Sequence, residues 1–456
     1  MILASISYLL LLLAVVPHSV YSCTSTRVSI EGFPDVIGRT MENGGKAGFI
    51  TGIYEDDIPH NWQVRVHPIG EEQGIGGIVC DKSKTWTNKY NHVSIDINTL
   101  IDMNNLDDFP NMTKYTLSTE GINEVGLTTS TQIFQDSNYQ ETVDTNIFSH
   151  VVNLCFVDFS SYVLANFDSV PALVASLKSQ DIRIVGASGG SPLSEMFRLN
   201  KRTFMHWTVD DANGNHIVVE VINGKIQIHE NRVGILTNQP LYEWHLLYLN
   251  NYVNQSPFFA NVGGAESIKI DTGMENIGIV PRAEGGGSNL LGLPGDFTPQ
   301  GRFVRQFYLR QIALYNSKPK TLDEVIALTS GLLNTVFIPK GILANEIKEM
   351  KDYETTEYTV IKVPQEKIFY YKDYFNNQWR KIDLKRLDFS QPYSESLADQ
   401  TLNIKDVTER FNNGTTTTDP PITTFSPTTF PTKKKSTKSS KSKSMKSEDD
   451  EKREEK

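Results

Sequence analysis

Three cysteines in 456 residues are few, and the position of one of them suggests chemistry. Residues 1–22 contain no Asp, Glu, Lys or Arg, and residues 9–16 form a short apolar run that Pro17 and His18 end. Val20 and Ser22 are small residues at the third and first positions before Cys23, the pattern of a secretory signal peptide cut after Ser22. The apolar run is short for the ~20 residues of a membrane-spanning helix, so stable membrane insertion is not expected. A bacterial lipoprotein site fits less well, because Tyr21 is too bulky for that signal. Cleavage after Ser22 makes Cys23 the first residue of the mature chain. A free α-amino group has a pKa near ~8, low enough to take the proton of its own side-chain thiol. One residue then supplies nucleophile and base, the logic of N-terminal nucleophile enzymes. The competing reading is a structural cysteine paired with Cys80 or Cys155.

Other patterns are set aside on local grounds. Gly186-Ala187-Ser188-Gly189-Gly190 matches G-x-S-x-G, and Asp210 and His229 follow in the order of an α/β-hydrolase triad. That elbow needs a helix directly after the serine, and Ser191-Pro192 together with the missing βαβ repeats argues against it. A serine hydrolase using Ser188 is kept as a minor alternative. Gly285-Gly286-Gly287 is followed by Ser288 rather than by Lys and Ser/Thr, so it is no phosphate loop. The nine histidines show no H-E-x-x-H or other tight ligand spacing, and no metal is expected. Of 44 basic and 54 acidic side chains, the tail 413–456 holds 10 and 7, which leaves 34 and 47 in residues 23–412. A core with net −13 has little with which to displace counterions from phosphate, so no nucleic acid partner is expected.

Chemistry at Cys23 needs a frame around it. Residues 23–412 contain no Pro/Ser/Thr-rich linker and no internal repeat, which favours one large α+β domain over the two or three that length alone suggests. Residues 216–221 and 225–229 flank Asn223-Gly224, a hairpin signal. Residues 305–315 and 321–334 have helical spacing, with Thr321 as N-cap and Asp323 and Glu324 in the first turn. Residues 356–363, 367–374 and 378–383 alternate as a closing antiparallel meander would. From Asn413 the composition changes: residues 415–432 are nearly all Thr, Pro, Ser and Phe, and residues 433–456 are Lys/Ser-rich and then mixed in charge. Such a tail cannot bury a core and is read as disordered, with its Thr/Pro stretch suited to O-glycosylation. Sequons at Asn111, Asn254 and Asn413 fit a secreted glycoprotein, although Pro257 weakens the second.

A set of longer motifs lies in order along the chain. Cys23-Thr24 is followed by Gly38-Arg39-Thr40-Met41-Glu42, then Gly121-Ile122-Asn123-Glu124-Val125-Gly126-Leu127 and Leu164-Ala165-Asn166-Phe167. Next come His206-Trp207, Ile217-Val218-Val219-Glu220 and Gly234-Ile235-Leu236-Thr237-Asn238-Gln239-Pro240, with Trp244 and Leu249-Asn250 behind them. Gly292-Leu293-Pro294-Gly295-Asp296-Phe297-Thr298-Pro299 and Arg302-Phe303-Val304-Arg305 complete the series. The set resembles the choloylglycine hydrolase and penicillin V acylase family across residues 23–390. The resemblance implies a four-layer αββα N-terminal nucleophile fold and hydrolysis of linear, non-peptide C–N amide bonds. It implies Cys23 as catalytic cysteine and Arg39 beside its thiol, where a guanidinium favours the thiolate. It puts Glu42 where the family commonly has an Asp that holds the α-amino group, Asn238 as an oxyanion donor, and Arg302 as a further active-site arginine. The family's second oxyanion asparagine has no counterpart in Thr128-Thr129-Ser130-Thr131-Gln132-Ile133-Phe134, which leaves Gln132 or a backbone N–H for that role.

The expectation is therefore a secreted, extracellular amidase with a signal peptide at 1–22, one catalytic domain at 23–412 and a tail at 413–456. Its substrate is a small-molecule N-acyl amide of bile-salt, penicillin V or related type, and it needs no cofactor. Family tetramers leave room for a homo-oligomer. The alternative from another class is a secreted binding protein of the same fold whose site has decayed.

Overall fold

The computed structural model describes residues 22–44, 62–97, 117–188, 204–253, 290–347 and 350–397, together with Ser194, Arg198 and Gln255. Residues 1–21, the sequons at Asn111, Asn254 and Asn413, the Gly285–Gly287 run and the tail lie outside the described residues. Contacts divide the chain into Met1–Ile404 and Lys405–Lys456.

The chain opens with β1 (Cys23–Val28), β2 (Val36–Gly44), β3 (Trp62–His67), β4 (Glu72–Gln73), β5 (Trp86–Thr87), β6 (His92–Ile97), β7 (Leu117–Asn123), β8 (Thr128–Ile133) and β9 (Val152–Cys155). Helices α1 (Phe159–Asn166) and α2 (Val170–Lys178) follow, then β10 (Ile182–Val185), β11 (Met205–Asp210), β12 (His216–Ile222), β13 (Lys225–Glu230), β14 (Ile235–Leu236) and α3 (Tyr242–Tyr248). The last part holds α4 (Pro299–Asn316), α5 (Leu322–Asn334), β15 (Leu343–Ile347), β16 (Met350–Val363), β17 (Ile368–Asp373), β18 (Arg380–Asp383) and β19 (Tyr393–Ser396).

Two large sheets result. One has the order β14-β1-β2-β16-β17-β18 with β15 added on β16, and the other runs β13-β12-β11-β8-β7-β6-β3-β19. Strand alternation sorts β2 between two cores. Arg39 and Met41 turn inward toward the second sheet, where Met41, Tyr358 and Val360 share a core with Val93, Ile95 and Ile122. Val36 turns outward onto Val325, Leu332 and Leu333 of α5. Gly38 lies under that helix: a Cβ there would sit 2.5 Å from Leu333 Cδ1 and 2.8 Å from Thr329 Cγ2, so a larger residue would displace these two side chains of α5. On the far side, α1 presses on β7 at Gly121, where a Cβ would meet Val93 O at 2.4 Å and Leu164 Cδ1 at 2.7 Å. Helices α4 and α5, the two sheets, and α1 with α2 make the four αββα layers. Burying a Val, Leu or Phe side chain contributes roughly 1.5–3 kcal/mol, so the apolar strips between layers hold the sheets in register.

Local signals place several elements as expected. Asn223 and Gly224 both have positive φ, 50° and 68°, which the tight turn between β12 and β13 requires. Thr321 caps α5 by accepting from Glu324 N at 3.2 Å. Helix α4 starts at Pro299, earlier than the spacing of residues 305–315 suggests, because Thr298 caps it through Gly301 N at 3.1 Å. That extra turn carries Arg302.

Candidate active site

Cys23 begins β1 opposite Met41, and Asn238 follows β14, whose Leu236 pairs with Ser25. Continuing that antiparallel register brings Asn238 beside Cys23. Cys23 N donates to Asn238 Oδ1 at 3.0 Å. Arg302, rising from α4, donates through Nη2 to the same oxygen at 2.7 Å and through Nη1 to Cys23 O and Thr24 Oγ1, each at 2.6 Å. Its Nε is fixed by Phe297 O at 2.9 Å, which ties the Gly292–Pro299 motif to the site. From the inner face of β2, Arg39 Nη2 lies 3.3 Å from Cys23 Sγ and donates to Thr131 O at 2.6 Å. Four residues scattered over 279 positions thus meet at one strand end, all essentially without solvent exposure.

The backbone of β8 completes the surroundings. Strand β7 pairs with β8 as far as Glu120 opposite Ser130, so beyond Ser130 this edge of β8 has free peptide groups. Thr131 O takes Arg39, Ile133 O takes Asn238 Nδ2 at 2.9 Å, and the Ile133 backbone pulls the Cys23 thiol down, in the sense that favours thiolate. Gln132 points to the inner face, but its amide donates to Ser25 Oγ. Of the two groups left open for the missing asparagine, Gln132 is engaged by Ser25, and the Ile133 backbone acts on the Cys23 thiol in the sense that favours thiolate.

Charge balance decides what the thiol can do. Burial pushes the Cys23 thiol up; Arg39 and Arg302 pull it down, while Glu42 pushes it further up. Burial also raises Glu42 from the ordinary 4.5 to about 7, against the pull of Arg302. Glu42 Oε1 accepts from Thr356 Oγ1 at 3.0 Å, and Oε2 has no hydrogen-bond partner. The contact expected between Glu42 and the Cys23 nitrogen is therefore made by Asn238 Oδ1 instead. The reason is strand alternation: Glu42 turns outward, away from the inner face that carries Cys23 Sγ. Its backbone is still adjacent, since Glu42 N donates at 3.0 Å to Ser22 O, the carbonyl of the peptide that contains Cys23 N. Asn238 also differs from expectation, because its Nδ2 is engaged by Ile133 O and its oxygen serves the nitrogen of Cys23.

Cys80 and Cys155 form a disulfide with each other, so Cys23 is the free cysteine and the structural pairing considered for it is excluded. Ser188 belongs to no triad. Its hydroxyl accepts from Asp81 N at 3.1 Å, while Asp210 holds His216 at 2.9 Å and His229 lies between Glu220 and Glu243, 3.6 Å from each. The strand before Ser188, β10, pairs with β9 in a two-stranded side sheet, with one further bridge from Val185 to Gln140, which is no α/β-hydrolase core.

Sequence reasoning missed the support behind Arg39. Arg39 Nη1 donates to Glu120 Oε1 at 2.6 Å and to Tyr358 OH at 2.8 Å, and Lys362 Nζ stands 3.5 Å from Glu120 Oε2. Lys362 between Ile361 and Val363 was the available signal: a charge inside an apolar strand needs a buried partner.

Comparison with known proteins identifies the family and the fold. The profile of the linear amide C–N hydrolases, choloylglycine hydrolase family, matches residues 23–404. A bile salt hydrolase/transferase of Clostridium perfringens is 34% identical over 238 residues, 51% of this chain and 63% of that protein. The chain thus spans a little under two thirds of that relative in the matched stretch. A penicillin V acylase of Pectobacterium atrosepticum is 21% identical over 74% of this chain and 76% of its own. Among solved structures, a variant of conjugated bile acid hydrolase from Clostridium perfringens superposes with TM-score 0.62 and 26% identity over 84% of this chain and 99% of the other. Penicillin V acylase from Agrobacterium tumefaciens, at 20% identity and TM-score 0.56, shares the fold. The chain belongs to the linear amide C–N hydrolases, choloylglycine hydrolase family.

Proposed function

We propose that this protein is a secreted amidase that hydrolyses non-peptide C–N bonds of small N-acyl amides with Cys23 as nucleophile. The observation that carries the reading is the meeting of Cys23, Arg39, Asn238 and Arg302 at the start of β1. While Ser22 is attached, Cys23 N is a peptide nitrogen whose lone pair is delocalised, and it cannot act as a base. Burial also keeps the thiol protonated in that form. Removal of residues 1–22 converts the nitrogen to an amine, held by Asn238 Oδ1 and adjacent to Glu42. The amine takes the thiol proton, sulfur attacks the amide carbonyl, and a backbone N–H at the free edge of β8 together with the second Nδ2 hydrogen of Asn238, the one not donated to Ile133 O, stabilises the oxyanion. The same ammonium protonates the leaving amine, and water then hydrolyses the thioester. Arg302 fixes the Cys23 carbonyl and Asn238 through the whole sequence, so the nucleophile is presented in one geometry.

Secretion is supported by the leader and by the Cys80–Cys155 disulfide, a bond that persists in oxidising compartments. No helix among the described residues is long and apolar enough to cross a membrane. The relatives named for bile salts and penicillin V set the first substrates to try. The test is a screen of bile-salt conjugates, phenoxyacetyl-penicillin, N-acyl homoserine lactones and fatty-acyl amides with mature protein and Cys23→Ala. Turnover lost in Cys23→Ala supports the amidase. Binding of these amides with no turnover by the mature protein would instead support the decayed binding protein.

A further inference from the structure

Behind the sulfur, a line of alternating charges crosses the space between the sheets. Arg39 on β2 touches Cys23 Sγ on one side and Glu120 of β7 on the other, at 3.3 and 2.6 Å. Glu120 turns its second oxygen to Lys362 of β16, at 3.5 Å, and none of the Arg39, Glu120 or Lys362 side chains is exposed. Lys362 is anchored at both remaining donors it uses, to Thr129 O and Ser130 Oγ at 2.6 Å each. Tyr358, with Thr119 behind it at 2.8 Å, keeps Arg39 Nη1 on Glu120.

A carboxylate bonded to Arg39 holds the guanidinium in place, yet its negative charge opposes the positive field that favours a Cys23 thiolate. We infer that Glu120 and Lys362 are positioning residues acting through Arg39: Glu120 fixes the guanidinium, and Lys362 offsets the charge of Glu120 so that Arg39 remains effective at the sulfur. This rests on the amidase reading above and adds to it a charge-setting device that does not touch substrate. Burial pushes Lys362 down, while Glu120 and Asp210 of β11 pull it back up, so its ammonium has partners that favour its charge. The other ionisable groups acting on Cys23 are Arg39 and Glu42 from β2 and Arg302 from α4.

The experiment reads the thiol directly. Cys23 is the free cysteine, with Cys80 and Cys155 bonded to each other, so iodoacetamide alkylation of the mature protein across pH reports its thiolate. Lys362→Met removes a positive charge and should slow alkylation at neutral pH by about threefold to tenfold. Glu120→Gln keeps an acceptor for Arg39 but removes a negative charge, and should speed alkylation by a similar factor. The double variant removes one charge of each sign and should return near the wild-type rate, and Lys362→Arg should keep that rate whatever its melting temperature. A purely structural role would lower melting temperatures without moving the two single variants in opposite directions. Both singles slowing alkylation, or neither changing it, overturns the inference. If Lys362→Met fails to fold, Glu120→Gln decides, since a slower or unchanged rate in it is equally fatal. Wild-type protein that alkylates normally but turns over no amide would sink the amidase reading and leave this comparison intact.

Discussion

Replacing Glu42 by glutamine should make the uncleaved chain more stable at pH 8 while changing little at pH 4. Glu42 is completely buried, and burial raises its carboxyl from the ordinary 4.5 to about 7. Below about pH 4 the folded and unfolded states both hold the proton, and the residue costs nothing by ionisation. Between 4.5 and about 7 the unfolded state ionises while the folded state keeps its proton, so stability falls as pH rises. Above about 7 the full penalty is present, and at ~1.4 kcal/mol per pH unit that interval is worth about 3 kcal/mol. The glutamine side chain would still accept from Thr356, and its amide nitrogen would occupy the place of an oxygen that already lacks a partner. The gain at pH 8 should therefore be about 2–3 kcal/mol, or roughly 2–4 °C in Tm for a domain of this size. In the mature chain the new ammonium beside Glu42 favours its carboxylate, so the gain should shrink. The amine in turn loses a neighbouring negative charge, and the activity limb it governs should move to lower pH. Thermal unfolding of both forms at pH 4 and pH 8, with and without the substitution, together with a pH–rate profile of the mature forms, measures all of this. An uncleaved Glu42→Gln chain that is less stable than wild type at pH 8 would show that Glu42 is ionised and well paired, and the reasoning would be wrong.

Three further expectations can be checked more quickly. Asn238→Ala removes the acceptor of Cys23 N and the donor to Ile133 O, so kcat should fall by roughly 10²–10³ with KM less affected, and full activity would mean the wrong site has been chosen. Intact-mass analysis of the secreted protein should place its N-terminus at Cys23, and retention of residues 1–22 in active protein would exclude the α-amine as base. Titration of the denatured, unreduced chain should find one thiol, and three after reduction; removing the Cys80–Cys155 bond, which spans 75 residues, should cost about 4 kcal/mol without abolishing the nucleophile.

Much of the site could be read from residue order. The position of Cys23 after 22 residues without a charged side chain suggests a nucleophile, while the roles of Arg39, Asn238 and Arg302 follow from the resemblance of their motifs to a family and not from spacing alone. The hairpin at Asn223-Gly224 and the cap at Thr321 were legible for a local reason: each depends on neighbours within four residues.

What only the tertiary structure decided depends on which face a strand residue takes and on where a paired strand stops. Glu42 and Met41 are adjacent in sequence, yet alternation sends one toward Thr356 and the other toward the sulfur. Thr131 and Ile133 offer their carbonyls to Arg39 and Asn238 because β7 leaves β8 after Ser130, a fact about pairing that no side chain at 128–134 announces. Glu120 and Lys362 are 242 residues apart in the chain and come within 3.5 Å only when two sheets pack face to face. Backbone donors and long-range charge partners carry no local sequence signature, since any residue type has the same peptide group and a buried charge finds its counter-ion through the fold.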